Sequence, residues 1–103
     1  MGVPDEPAGD ALAADGARAW PNPFGGSTTI RFVMPVAGAC ELAIYDVAGR
    51  HVRSLASGTV AAGEQQARWD GRDDAGTRVA PGVYLYRLRT PAGTESRRVV
   101  YLR

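Results

Sequence analysis

The sequence predicts an all-β fold: a small antiparallel sandwich of about seven strands behind a disordered N-terminal linker. Three observations carry that prediction. Apolar and polar residues alternate with period two over most of the chain after Ala19. Turn-forming clusters interrupt that alternation at roughly the 8–12-residue spacing of sandwich strands. No segment sustains the 3.6-residue period of a packed helix. A length of 103 residues accommodates one domain and not two.

The elements follow in chain order. Residues 1–19 read as a flexible linker, with Pro4, Pro7, Asp5, Glu6, Asp10, Asp15 and several alanines, and with Leu12 the only large aliphatic after Val3. Such a segment buries too little apolar surface to offset the entropy of ordering it. The folded domain is expected over residues 20–103. In Thr29–Met34, Ile30, Phe32 and Met34 share a face, and Pro35, with no N–H to give, ends the strand. Cys40, Leu42 and Ile44 share a face of the next strand. It closes through Tyr45-Asp46-Val47-Ala48-Gly49-Arg50, where Gly49 supplies a positive φ. His51–Leu55 reads as a short return strand and residues 57–63 as a loop. Gln65, Ala67 and Trp69 share one side of the following strand. Asp70–Gly76 is too dense in turn formers to be regular. It is expected to be a wide turn pinned by Asp70 and Asp73 accepting backbone N–H groups, with Gly71 and Gly76 left-handed. Thr77–Ala80 is short and extended. After Pro81-Gly82 the longest strand, Val83–Thr90, places Tyr84, Tyr86 and Leu88 on one face. Ser96–Leu102 is last, with Arg97, Val99, Tyr101 and Arg103 facing one way and Arg98, Val100 and Leu102 the other. Losing its final three residues is expected to cost about one aliphatic side chain, roughly 1.5–3 kcal/mol.

Composition removes whole classes of function. All twelve basic residues are arginines, so no lysine Schiff base, P-loop lysine or lysine–asparagine crosslink can form. One cysteine, Cys40, allows no internal disulfide, and its place in an alternating apolar run makes it a small buried hydrophobe. One histidine, His51, cannot build a histidine-based metal cluster. None of the serines stands in a nucleophile-elbow context, so no catalytic residue and no cofactor is assigned. Asp70–Asp74 invites comparison with an EF-hand loop, but Arg72, Ala75 and Pro81 stand where an oxygen ligand, a glycine and a glutamate are needed. No metal is expected. Arginines outnumber acids after Ala19, yet no basic stripe with interleaved stacking aromatics appears, which argues against nucleic acid. No apolar run is long enough to span a membrane, and the first residues lack the basic-then-apolar order of a signal peptide, so an exported parent would carry its signal elsewhere.

Taken together, the motifs resemble a known family. Pro21-Asn22-Pro23-Phe24 followed by Ser27-Thr28-Thr29-Ile30-Arg31-Phe32 resembles the opening of type IX C-terminal sorting domains. Tyr45-Asp46-Val47-Ala48-Gly49-Arg50-His51-Val52 is similar to their hairpin, and Trp69-Asp70-Gly71-Arg72-Asp73-Asp74-Ala75-Gly76 to their central loop. Pro81-Gly82-Val83-Tyr84 and Arg97-Arg98-Val99-Val100-Tyr101-Leu102-Arg103 complete the resemblance, which runs from about Trp20 to the C-terminus. The central block also resembles the immunoglobulin-like domain of the flagellar hook-capping protein, which generally lacks the proline-rich opening and the basic-apolar terminal strand. The resemblance implies an immunoglobulin-like sandwich serving as a non-catalytic address label on an exported cargo. Its partners would be the upstream cargo domain and an outer-membrane secretion and anchoring machinery, and its destination the cell surface or medium after periplasmic transit. Strand addition at the terminal strand would suit that task, which makes Arg97–Arg103 with the Pro91-Ala92-Gly93 turn the expected recognition element. Competing readings are a spacer or accessory carbohydrate-binding module, a subunit that assembles through sheet edges, and, least supported by the residues, an enzyme.

Overall fold

A computed structural model describes residues 16–103; the linker assigned to earlier residues lies outside them. Seven strands form two antiparallel sheets. The first sheet has the order β1 (Arg18–Trp20), β2 (Thr28–Met34), β5 (Gly63–Trp69). The second has the order β4 (His51–Val60), β3 (Gly38–Asp46), β6 (Gly82–Thr90), β7 (Gly93–Tyr101). No described segment is a helix long and apolar enough to cross a membrane.

The expected alternation sets the core. Ile30, Phe32 and Met34 of β2 face Cys40, Leu42 and Ile44 of β3 and Tyr84, Tyr86 and Leu88 of β6 across the sandwich, all of them buried. Trp69, Val99 and Tyr101 are wholly inaccessible and close one end. Desolvation, helped by the neighbouring Glu41 charge, pushes the Cys40 thiol up from its ordinary pKa, as a structural apolar cysteine requires.

Three elements differ from the sequence reading. The first strand begins at Arg18, inside the stretch assigned to linker, because Ala17 and Ala19 are small enough to pack against the core. Ala17 is fully buried; its N–H donates to Glu95 Oε1 at 3.0 Å, and its carbonyl accepts from the Tyr86 hydroxyl at 3.2 Å. The return strand β4 continues to Val60 in place of a loop, paired with Gly38–Tyr45. Two bulges leave Val52 and Leu55 as its extra residues, and both turn toward the core. Residues 77–80 make only an isolated bridge, Arg78 to Arg72.

Candidate functional site

The motif residues, distant in sequence, converge at one end of the sandwich. Phe24 stacks on Tyr101 with ring centroids 5.1 Å apart and tilts against Trp69 at 5.4 Å, while Trp69 meets Tyr84 edge-on at 5.3 Å. These are the offset and edge-to-face arrangements that aromatic quadrupoles favour. Trp69 Nε1 donates to the Arg72 carbonyl at 2.9 Å and Arg78 donates to the Tyr101 hydroxyl at 2.9 Å, so the polar tips are satisfied.

Around this cluster, two loops each cover part of one edge of the four-stranded sheet. On the β7 side, the Asn22 side chain imitates a peptide group: Nδ2 donates to the Arg98 carbonyl at 3.1 Å, and Oδ1 accepts from Val100 N–H at 2.9 Å. Phe24 N–H then donates to the Val100 carbonyl, and Leu102 N–H to the Phe24 carbonyl, at 2.9 and 2.8 Å. Pro23, between them, has no N–H to leave unsatisfied. Asn22–Phe24 is thus a short parallel clip on β7.

On the β4 side, the Asp74 N–H donates to the Val52 carbonyl at 3.0 Å, and Asp74 Oδ1 accepts from Ser54 N–H at 3.0 Å. Asp73 Oδ1 accepts from Ala75 and Thr77 N–H, as expected. Asp70 does not: its carboxylate pairs with the guanidinium groups of Arg53 at 3.2 Å and Arg72 at 3.8 Å. The backbone accepts these cations too, because Arg53 also donates to the Arg72 carbonyl. Gly71 is obligatory on two grounds. Its φ is +78°, and a Cβ there would lie 2.6 Å from the Tyr101 ring. Among the described residues no group of three His, Cys, Asp or Glu could hold a metal ion.

At the β3–β4 hairpin, Asp46 holds the turn. Oδ1 accepts from Ala48 and Arg50 N–H, Oδ2 from Arg50 Nε at 2.9 Å, and Gly49 takes φ +88°. The Arg50 amide, with its guanidinium, holds this carboxyl below the usual carboxylate range against a smaller desolvation effect. Tyr45 lies on the outer face beneath the Arg87 guanidinium, 4.4 Å from its centroid. Ser54, His51 and Asp74 form a surface chain, with Oγ 3.0 Å from Nε2 and Nδ1 3.6 Å from Oδ2. This resembles the order of a hydrolase triad, yet all three residues are exposed on the surface, and the same carboxylate fastens the loop to β4. No sequence signal marks Asp74 for that task.

The terminal strand divides by parity. Val99 and Tyr101 are buried, and Arg97 is turned in beside Glu95, their nearly inaccessible side chains forming an ion pair under β1. Arg98, Val100 and Leu102 face outward, with Leu102 and Arg103 exposed. Two expectations change. Tyr101 belongs to the aromatic cluster, so loss of the last three residues removes far more than one aliphatic side chain. Strand addition along Arg98–Leu102 is obstructed, because Asn22 and Phe24 already hold those backbone groups. The Glu95–Arg97 pairing was legible in parity, since both share the face of Val99 and Tyr101.

The fold and these contacts define an immunoglobulin-like sandwich whose loops clip its sheet edges and meet over one aromatic cluster. Residues 21–93 match the FlgD Ig-like domain, and the chain belongs to that family. Dimeric latent PorU from Porphyromonas gingivalis is similar over 84% of this chain at 26% identity and TM-score 0.68. PorZ, described as an essential surface component of the type IX secretion system of the same bacterium, is similar over 93% at 27% identity and TM-score 0.62. FlgD from Pseudomonas aeruginosa is similar over 72% at 26% identity and TM-score 0.57. The matches span 9%, 13% and 59% of those respective chains. No curated protein matches by sequence.

Proposed function

We propose that this chain is a non-catalytic sorting and anchoring domain that directs an upstream cargo through the type IX secretion system to the cell surface or medium. The observation that carries the reading is the division of β7. Its inward residues build the core, its backbone edge is clipped by Asn22–Phe24, and its outward side chains, Arg98, Val100 and Leu102 with Arg103, remain as a basic-apolar patch at the chain end. Likeness to PorU and PorZ, taking in 84% and 93% of the chain against 72% for FlgD, supports the same reading. The secretion machinery would read this patch through side chains, without needing a free strand edge.

The test uses a reporter fused upstream of the domain in a type IX-competent host. The intact fusion is expected at the surface, and the fusion carrying Arg98→Ser, Leu102→Ser and Arg103→Ser in the periplasm, with the fold checked by thermal melting. Equal export of both would overturn the patch; retention of the intact fusion would overturn the sorting role.

A second reading is an immunoglobulin-like assembly module, favoured by membership of the FlgD Ig-like family. The clipped edges count against assembly by edge pairing in the four-stranded sheet. Concentration-dependent self-association of the isolated chain in sedimentation would favour this reading.

A further inference from the structure

We infer that two copies of this chain pair edge to edge through β5, joining their three-stranded sheets into one continuous antiparallel sheet. The inference rests on neither functional reading, although the pairing would give an assembly module its surface.

β5 is the least protected edge of the fold. It ends the order β1-β2-β5 and runs seven residues, Gly63–Trp69, against β2 with no shift of register. Its other side is bare: among the described residues, no backbone bond beyond the β2 ladder reaches residues 63–69. The remaining edges differ. β1 is three residues long, and β4 and β7 are each partly covered by a loop. Edge strands are ordinarily guarded by proline, by a bulge or by charge. β5 has no proline and no bulge, which leaves Glu64 and Arg68 as its guards.

Those two charges identify the occupant. Glu64, Gln66 and Arg68 stand on the outer face of the sheet, while Gln65 and Ala67 turn inward. Gln66 lies midway between the acid and the base. A second copy related by a two-fold axis at Gln66 therefore sets Glu64 of each chain opposite Arg68 of the other. Opposite charges directly across a ladder stabilise it, and like charges destabilise it. Moving the axis to Glu64 opposes two acids, and moving it to Arg68 opposes two arginines. Centring it on Gln65 leaves Glu64 facing glutamine, and centring it on Ala67 does the same to Arg68. The pattern thus accepts its own copy in a single register.

Both side chains can make the contact. Ser27 takes the Nε donor of Arg68 at 3.0 Å, and a guanidinium carries further N–H groups on its terminal nitrogens. Glu64 meets Arg31 at 3.9 Å with both side chains largely in water, a pairing worth little. The pairing also leaves β1 clear at the far edge of this sheet and β7 at an edge of the other. One strand pair buries less than the roughly 1,200 Å² of a stable complex, so the dimer is weak.

The experiment is sedimentation equilibrium of the full chain from about 10 µM to about 1 mM, with amide NMR shifts followed over the same range. A monomer at the lower end should become a dimer at the upper, with concentration-dependent shifts centred on residues 63–69. Glu64→Arg and Arg68→Glu set like charges opposite, and each should weaken self-association about tenfold or more, about 1.4 kcal/mol. Mixed together, these two variants should dimerise with each other as well as the parent does with itself, which excludes misfolding as the cause of either loss. The chain carrying Arg98→Ser, Leu102→Ser and Arg103→Ser should dimerise like the parent, which separates this surface from the export patch. A monomer throughout the range, shifts centred on another strand, or failure of the two folded variants to rescue one another would each overturn the pairing.

Discussion

Both edges of the four-stranded sheet are partly covered by the chain itself, at Val52–Ser54 of β4 and from Arg98 onward in β7, but by different chemistry. At β7 the cover is main chain and a main-chain mimic, Asn22 to Phe24, anchored by a Phe24 ring that is itself core. At β4 the cover is a loop of carboxylates and guanidiniums, Asp70, Asp74, Arg53 and Arg72, largely within reach of water. Both hide backbone groups that would otherwise invite another strand. The difference teaches where each belongs energetically. The β7 clip cannot open without exposing an aromatic ring, so it shares the stability of the core. The β4 clip rests on part-exposed charges, each worth little and screened by salt, so it can open locally.

The comparison is broken most severely at the aromatic cluster that both clips share. Deleting Tyr101–Arg103, or making Trp69→Ala, is expected to cost roughly 3–5 kcal/mol, as for other buried aromatics. For a domain of this size that lowers the melting midpoint by roughly 4–8 °C per kcal/mol. A truncated domain melting within a few degrees of the parent would contradict the role of Tyr101. Gly71→Ala should come next, at about 2–4 kcal/mol, combining a left-handed backbone with a methyl driven into the Tyr101 ring. Urea unfolding measures it directly.

Single-clip variants sharpen the contrast. Asn22→Ala removes both ends of a peptide mimic and should cost about 1–2 kcal/mol, nearly independent of salt. Asp74→Ala should cost under about 1 kcal/mol and less still at high salt. Equal salt dependence of the two variants in denaturant titrations would erase the distinction.

The smallest effect concerns the hairpin. Because the Asp46 carboxyl lies below its ordinary pKa when folded, its contribution is present above about pH 4 and lost as pH falls through the folded value. Asp46→Asn should therefore flatten the acid limb of a stability–pH profile. At the other extreme, burial raises the Tyr84 and Tyr86 phenols. Their contribution is present below about pH 10, the ordinary tyrosine value, and lost as pH rises beyond it.

Much of this architecture was legible in residue order, because period two is unambiguous where one face is buried. Ile30, Phe32 and Met34, and Tyr84, Tyr86 and Leu88, took the faces their spacing demanded. Strand β1 was not legible: Arg18-Ala19-Trp20 has no apolar alternation, and its pairing depends on Ala17 being small enough to enter the core. The length of β4 was hidden by Ser57 and Gly58, which read as a turn but sit in a strand, Gly58 opposite Cys40 with φ +116°. At the site, sequence singled out Asn22, Phe24, Trp69, Asp70 and Tyr101 without revealing that they meet. Their joining depends on contacts more than seventy residues apart in the chain. Asp70 was assigned to backbone donors because a turn usually provides them; here Arg53, from another strand, takes that carboxylate.

The most direct test of the clip account is amide hydrogen exchange at both edges of one folded sample. Phe24 and Leu102 amides, bonded across the β7 clip, should exchange only through global unfolding, at rates that follow the denaturant-derived stability. Ser54 and Asp74 amides, at the β4 clip, should exchange faster, through local opening, and faster again as salt is raised. Exchange of Phe24 and Leu102 as rapid as that of Ser54 and Asp74 would contradict the account, because the β7 cover would then be a loose terminus and not an extension of the core.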